Sequence, residues 1–215
     1  MFEYVREDLR RACDLNQSAY GFAPLLRELM NPGTQAILVY RFGHWCDRIR
    51  IQPIRYLLRL IHFLIQYFAS WRVGIFIPVK AQIGPGFVIH AWGGGCSLPA
   101  AKIGRHFLIV GGGVQMDYSL PEIGDEVSIG PGTKVIGKVR LGNRVRTAPN
   151  SVIQTDVMDD CIVFGNPGRV IGPVPRLSRA QGAARVIPAG MARTDPKQEG
   201  DEASNPPVRD ERPPE

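Results

Sequence analysis

The chain has 215 residues, 44% of them hydrophobic, and a formal net charge of +6. That length supports one principal core with a smaller appended unit, and 24 glycines with 18 prolines break the chain too often for a long helical bundle. The charge is local rather than a nucleic-acid footprint: Arg41, Arg48, Arg50, Arg55, Arg59, Arg72 and Lys80 stand against Asp47 alone and account for the whole excess.

No apolar run opens the chain, because Glu3, Arg6, Glu7, Asp8, Arg10 and Arg11 occupy its start. No secretory signal is read there, and a cytoplasmic location is expected. Residues 1–73 are predicted to form a helical domain. Turn residues cluster only at Asn31-Pro32-Gly33, and apolar side chains recur at helical spacing over Gln35–Arg50 and Ile54–Trp71. Asn31 is placed to cap the second helix, with Pro32 in its first turn, where proline is tolerated. The longest charge-free run, Leu60 to Trp71, is too short to cross a bilayer. Cys13, Cys46, Cys96 and Cys161 show neither paired nor metal-ligand spacing, so they are read as reduced, mostly buried thiols, and no metal is expected.

From Gly74 the period changes. Ile123, Ile129, Val135, Leu141, Thr147 and Ile153 recur every sixth residue, and Val127, Thr133, Val139, Val145, Ser151 and Val157 follow four places later in the same step. Gly124, Gly130 and Gly142 follow the first row, and the unit reappears at Ile83-Gly84 and Ile103-Gly104. So short a step suits a short strand plus a tight corner, three of which close one triangular coil. Residues 74–174 are therefore predicted to form a parallel β-helix, with the first row stacked on its axis. The frame breaks between Gly95 and Ile103 and between Gln115 and Ile123, where loops are expected on one face. Residues 175–215 have no periodicity, six prolines beyond Pro175, and acids balanced by bases. They are predicted to be a disordered tail.

The segments GIFIPVKAQIGPGFVIHAWGG, IGDEVSIGPGTKVIGKVRLGN and FGNPGRVIG, with NPGTQAILVYRFGHWC upstream, resemble the serine acetyltransferase branch of the hexapeptide acyltransferases. The resemblance implies a mainly β fold, a left-handed parallel β-helix behind helices. It also implies transfer of an acetyl group from acetyl-CoA to a hydroxyl, most simply that of L-serine, for cysteine biosynthesis. Homotrimers, sometimes doubled, are implied as well. Departures fall at the catalytic positions. The family's dyad histidine aligns with Ala91 and the aspartate just before it with His90; the supporting aspartate aligns with Phe76, and a second histidine with Leu120. These departures keep two alternatives open, transfer to a sugar or polysaccharide hydroxyl and a non-catalytic assembly coil.

Acyl transfer to an alcohol needs a base of near-neutral pKa. Of the four histidines, His44 and His62 lie in the helical domain and His106 on a coil face, whereas His90 borders the break at Gly93-Gly94-Gly95. His90 is the candidate base, or else it merely lines a corner. Asp117 and Tyr118 are candidate acceptor contacts, as is Trp92, for which packing is the favoured account. Gly112 and Gly113 belong to a glycine run that resembles the family's coil before the acceptor loop and equally reads as a tight corner. The resemblance assigns Ala148, Pro149, Pro167 and Arg169 to CoA, with Lys134 and Arg146 supplying charge for phosphate, unless these are solvated surface residues. The basic amphipathic residues 48–72 have three readings: a subunit interface, packing against the coil, or a peripheral seat on anionic lipid. Internal packing or assembly is favoured. No nucleic-acid surface is read.

Overall fold

The computed structural model describes residues 2–16, 22–90, 95–98, 102–116 and 119–174. Trp92, Asp117, Tyr118 and the tail lie outside the described residues.

Four helices come first: α1 (Phe2–Leu15), α2 (Phe22–Met30), α3 (Pro32–Cys46) and α4 (Gln52–Val73). Asn31 caps the third of these rather than the second, its side chain accepting from the Gly33 amide at 3.0 Å, with Pro32 in the first turn. The sequence pattern merged α1 and α2 because only one turn cluster marks the region. Gly74 ends α4 in the left-handed conformation (φ 69°), its amide bonded to Ser70.

The strands then stack in three parallel ladders. One contains β1 (Ile75–Phe76), β4 (Cys96–Ser97), β7 (Val114–Met116), β10 (Lys134–Val135) and β13 (Val152–Ile153). The second contains β2 (Gln82–Ile83), β5 (Lys102–Ile103), β8 (Glu122–Ile123) and β11 (Arg140–Leu141). The third contains β3 (Val88–His90), β6 (Leu108–Val110), β9 (Ser128–Ile129), β12 (Arg146–Thr147) and β14 (Cys161–Phe164), closed by the antiparallel β15 (Arg169–Pro173).

Every residue of the two six-step rows from Ile123 to Val157 is buried, because alternation along each short strand turns those side chains to the axis. Upstream, the buried rings of Phe87 and Phe107 stack with centroids 5.6 Å apart. One corner is stitched by side chains that replace backbone acceptors. Asp125 takes the Arg105 amide twenty residues back, Asn143 takes the Asp125 amide eighteen back, and Asp159 takes the Asn143 amide. The shorter second step registers the end of the frame breaks.

The helices close the open end of the coil. Tyr40 donates from its hydroxyl to the Ala81 carbonyl at 2.6 Å and accepts from the Ile83 amide. Arg41 donates to the Ile83 and Gly84 carbonyls at 2.8 and 2.7 Å and is paired with Asp8 at 2.9 Å. Asp8 also accepts from the Phe87 amide at 2.8 Å. Burial pushes the Asp8 carboxyl upward, against the opposing pull of the Arg41 guanidinium and the Phe87 amide. Arg41, counted in the basic excess from sequence, is thus 4% exposed and neutralised rather than part of a charged surface. Gly33 is needed here, since a Cβ would stand 2.0 Å from the Ile89 carbonyl oxygen.

On the other side of α3, His62 of α4 packs on Gly43, where a Cβ would lie 2.3 Å from Nε2. Burial pushes the His62 pKa down, so the folded chain favours the neutral ring, whereas the unfolded chain protonates near pH 6.5, an ordinary value of about 6.5 for histidine. This contribution is complete above that pH and is lost as pH falls toward the lower folded value. The urea midpoint should therefore drop between about pH 7.5 and about pH 5.5, and His62→Gln should flatten that drop.

Candidate active site

His90 ends β3, paired with Val110, and its carbonyl accepts from the Gly111 amide at 2.8 Å. Ile89 takes the axis and is buried, so alternation turns the half-buried His90 side chain outward. No described residue hydrogen-bonds its imidazole.

The chain passes from the third ladder to the first through a corner that repeats in every coil. In successive coils the corner residues are Gly111-Gly112-Gly113, Gly130-Pro131-Gly132 and Ala148-Pro149-Asn150, followed by the Gly165–Gly168 turn. Gly132 donates to the Gly112 carbonyl and Asn150 to that of Pro131. Gly111 and Gly113 have φ of 76° and 74°, and a Cβ on Gly111 would meet Pro131 Cβ at 2.6 Å, so a bare backbone is required. Beneath this corner the core turns polar. Thr147 Oγ1 accepts from the Gly130 amide at 2.9 Å and lies 3.1 Å from Thr133 Oγ1, and Ser151 donates to the Ala148 carbonyl. These buried hydroxyls satisfy the corner's backbone and hold it rigid.

The structure therefore aligns His90, Gly112, Gly113, Ala148, Pro149 and Pro167 along one edge of the prism. The His90 and Ala148 rows are three ladder steps apart, roughly 14 Å at the usual strand spacing. Lys134 and Arg146 flank that edge on different faces, in β10 and β12, and Arg169 lies exposed in the closing β15. Neither Lys134 nor Arg146 is ion-paired with a described residue, so both are free to meet an anion. Among the described residues no cluster of His, Cys, Asp and Glu could hold a metal. Burial pushes the Cys13, Cys46 and Cys96 thiols up, while Cys161 is half-buried. The residues that sequence reading missed, Asp8 and Tyr40, hold the coil end beside His90; neither lies in a periodic row.

Stacked hexapeptide coils with a glycine-rich edge define a transferase of the hexapeptide class, and residues 121–155 match the family described as bacterial transferase hexapeptide (six repeats). The serine acetyltransferase of Synechococcus elongatus is 30% identical over 200 residues, covering 87% of this chain and 78% of that protein. The chain belongs to the serine acetyltransferase family, a family of acyltransferases. Its fold is similar to that of the Neisseria gonorrhoeae serine acetyltransferase in complex with serine, at TM-score 0.62 and 25% identity over 78% of this chain and 68% of that one. It is also similar to the Brucella abortus serine acetyltransferase in complex with coenzyme A, at TM-score 0.60 and 21% identity over 80% and 68% of the two chains.

Proposed function

We propose that this chain transfers the acetyl group of acetyl-CoA to the hydroxyl of L-serine, giving O-acetyl-L-serine. The observation that carries the reading is the single edge running from His90 to Pro167, bare of side chains at Gly112 and Gly113 and small at Ala148. Such an edge admits an extended thioester arm against the backbone.

In this reading the imidazole of His90 takes the proton of the serine hydroxyl as its oxygen attacks the thioester carbonyl. The C–S bond then breaks and the thiol of CoA leaves with a proton. Pro149 and Pro167 border the arm, Lys134, Arg146 and Arg169 supply cations for the CoA phosphates, and Trp92, Asp117 and Tyr118 contact the acceptor. The working assembly in this proposal is a cytoplasmic homotrimer or dimer of trimers.

A second acceptor, a sugar hydroxyl, is favoured by one observation. Leu120, in the left-handed conformation at φ 58°, stands where the family carries a histidine. Release of CoA thiol by the purified chain, measured with acetyl-CoA and L-serine, a sugar panel or no acceptor, separates these readings. Serine-dependent release is expected. Release only with sugars moves the acceptor, and a folded chain silent with all of them is a non-catalytic coil.

A further inference from the structure

α4 is built inside out. At 100° per residue, Arg55, His62 and Gln66 fall on one stripe, toward α3, and Arg55 Nε, His62 Nε2 and Gln66 Oε1 are buried without a hydrogen-bond partner among the described residues. The opposite side presents Leu57, Leu60, Leu64, Tyr67 and Trp71, with Phe63 and Phe68 on its flanks, all exposed, Trp71 to 83% and Phe63 to 63%. A helix that meets water arranges its polarity the other way, and so large a contiguous apolar surface marks an interaction site. Of the internal packing or assembly favoured from sequence, the polar stripe supplies the packing, and it is against α3.

We propose that the outer face of α4 lies in the plane of an anionic lipid bilayer, buried among the headgroups and upper acyl chains. Three observations select lipid over a second copy of the chain. The apolar arc from Phe63 round to Ile61 covers about 160°, wider than the seam along which two helices pair. Arg48 and Arg50 precede α4 and Arg72 stands in its last turn, while the nearby Asp47 is already paired with Arg59 at 2.8 Å, so these three cations have no carboxylate partner among the described residues. A second α4 would bring the same cations, whereas anionic headgroups complement them. Tyr56 near one end and Tyr67 and Trp71 near the other are amphipathic rings suited to the lipid–water boundary. The end of α4 is tied to the end of α2, because Arg72 bonds the Gln35 amide oxygen and Gln35 in turn bonds the carbonyls of Leu29 and Met30, where Met30 is 71% exposed. No described helix is long and apolar enough to cross a membrane, so α4 rests on one leaflet.

The test is co-sedimentation of the full chain, at low salt, with vesicles of phosphatidylcholine alone or mixed with phosphatidylglycerol. Binding to the mixed vesicles is expected, with partitioning at least roughly tenfold weaker on the neutral ones. Leu60→Glu with Leu64→Glu should abolish sedimentation while leaving the far-ultraviolet circular dichroism unchanged. Arg48→Gln with Arg50→Gln should weaken it by roughly tenfold or more. Failure of the folded wild-type chain to sediment with the anionic vesicles overturns the proposal. So does a light-scattering mass, measured without lipid, that falls to a smaller assembly in the double-glutamate variant, because the face then belongs to a second copy.

Discussion

His90→Ala is expected to lower kcat for serine-dependent thiol release by about 10²–10⁴-fold, the usual contribution of a positioned base, with little change in unfolding midpoint. The stability expectation follows from placement. The His90 side chain points away from the axis, has no hydrogen-bond partner among the described residues, and fills no core position. Its removal leaves Ile89, the Val110 pairing and the bond from Gly111 intact. If the variant turns over at the wild-type rate, another group is the base and His90 only lines the corner.

Arg41→Met should lower the stability of the chain by about 3–5 kcal/mol, the cost typical of leaving one partner of a buried ion pair alone. Domains of this kind are stable by only about 5–15 kcal/mol, so the loss is a large share of the total and reads directly as a lower urea midpoint. The substitution strands Asp8 and also removes the donors to the Ile83 and Gly84 carbonyls. Adding Asp8→Asn should recover part of the loss, since the stranded charge goes while the carbonyls stay unpaired. A double variant no more stable than Arg41→Met would show that the carbonyl bonds, rather than the charge pair, dominate.

The coil was legible because its signal is local. Two rows six residues apart name the axis from Ile123 to Val157, and the burial of all of them follows from alternation over strands two residues long. The N-terminal cap at Asn31 was equally legible, since the capping side chain and the proline after it are adjacent in sequence. What escaped is non-local. Asp8 meets Arg41 across 33 residues and Phe87 across 79, and no period or spacing announces such a pairing. Net charge misled for the same reason, because it counts Arg41 as a surface cation. Polarity along α4 was visible as an amphipathic pattern, but a pattern does not say which face turns inward, and packing on α3 decided that. At the candidate site, sequence order places His90 beside Gly112 only once the coil closes. The edge joining His90, Ala148 and Pro167 is a product of stacking, not of any one segment.

Both ends of the coil are finished by something other than another coil. At the start, Tyr40, Arg41 and Asp8 occupy backbone groups that a preceding turn would have used. At the finish, the stretch after Ile153 does the same, with Val157 bonded to Arg140, Gly165 and Gly168 to Val152, and β15 reversed against β14. A solenoid of identical steps has no intrinsic length, and exposed terminal rungs would template endless end-to-end growth. Where the outermost rungs are answered in this way, the protein counts its own rungs, and end-to-end growth through those groups is disfavoured.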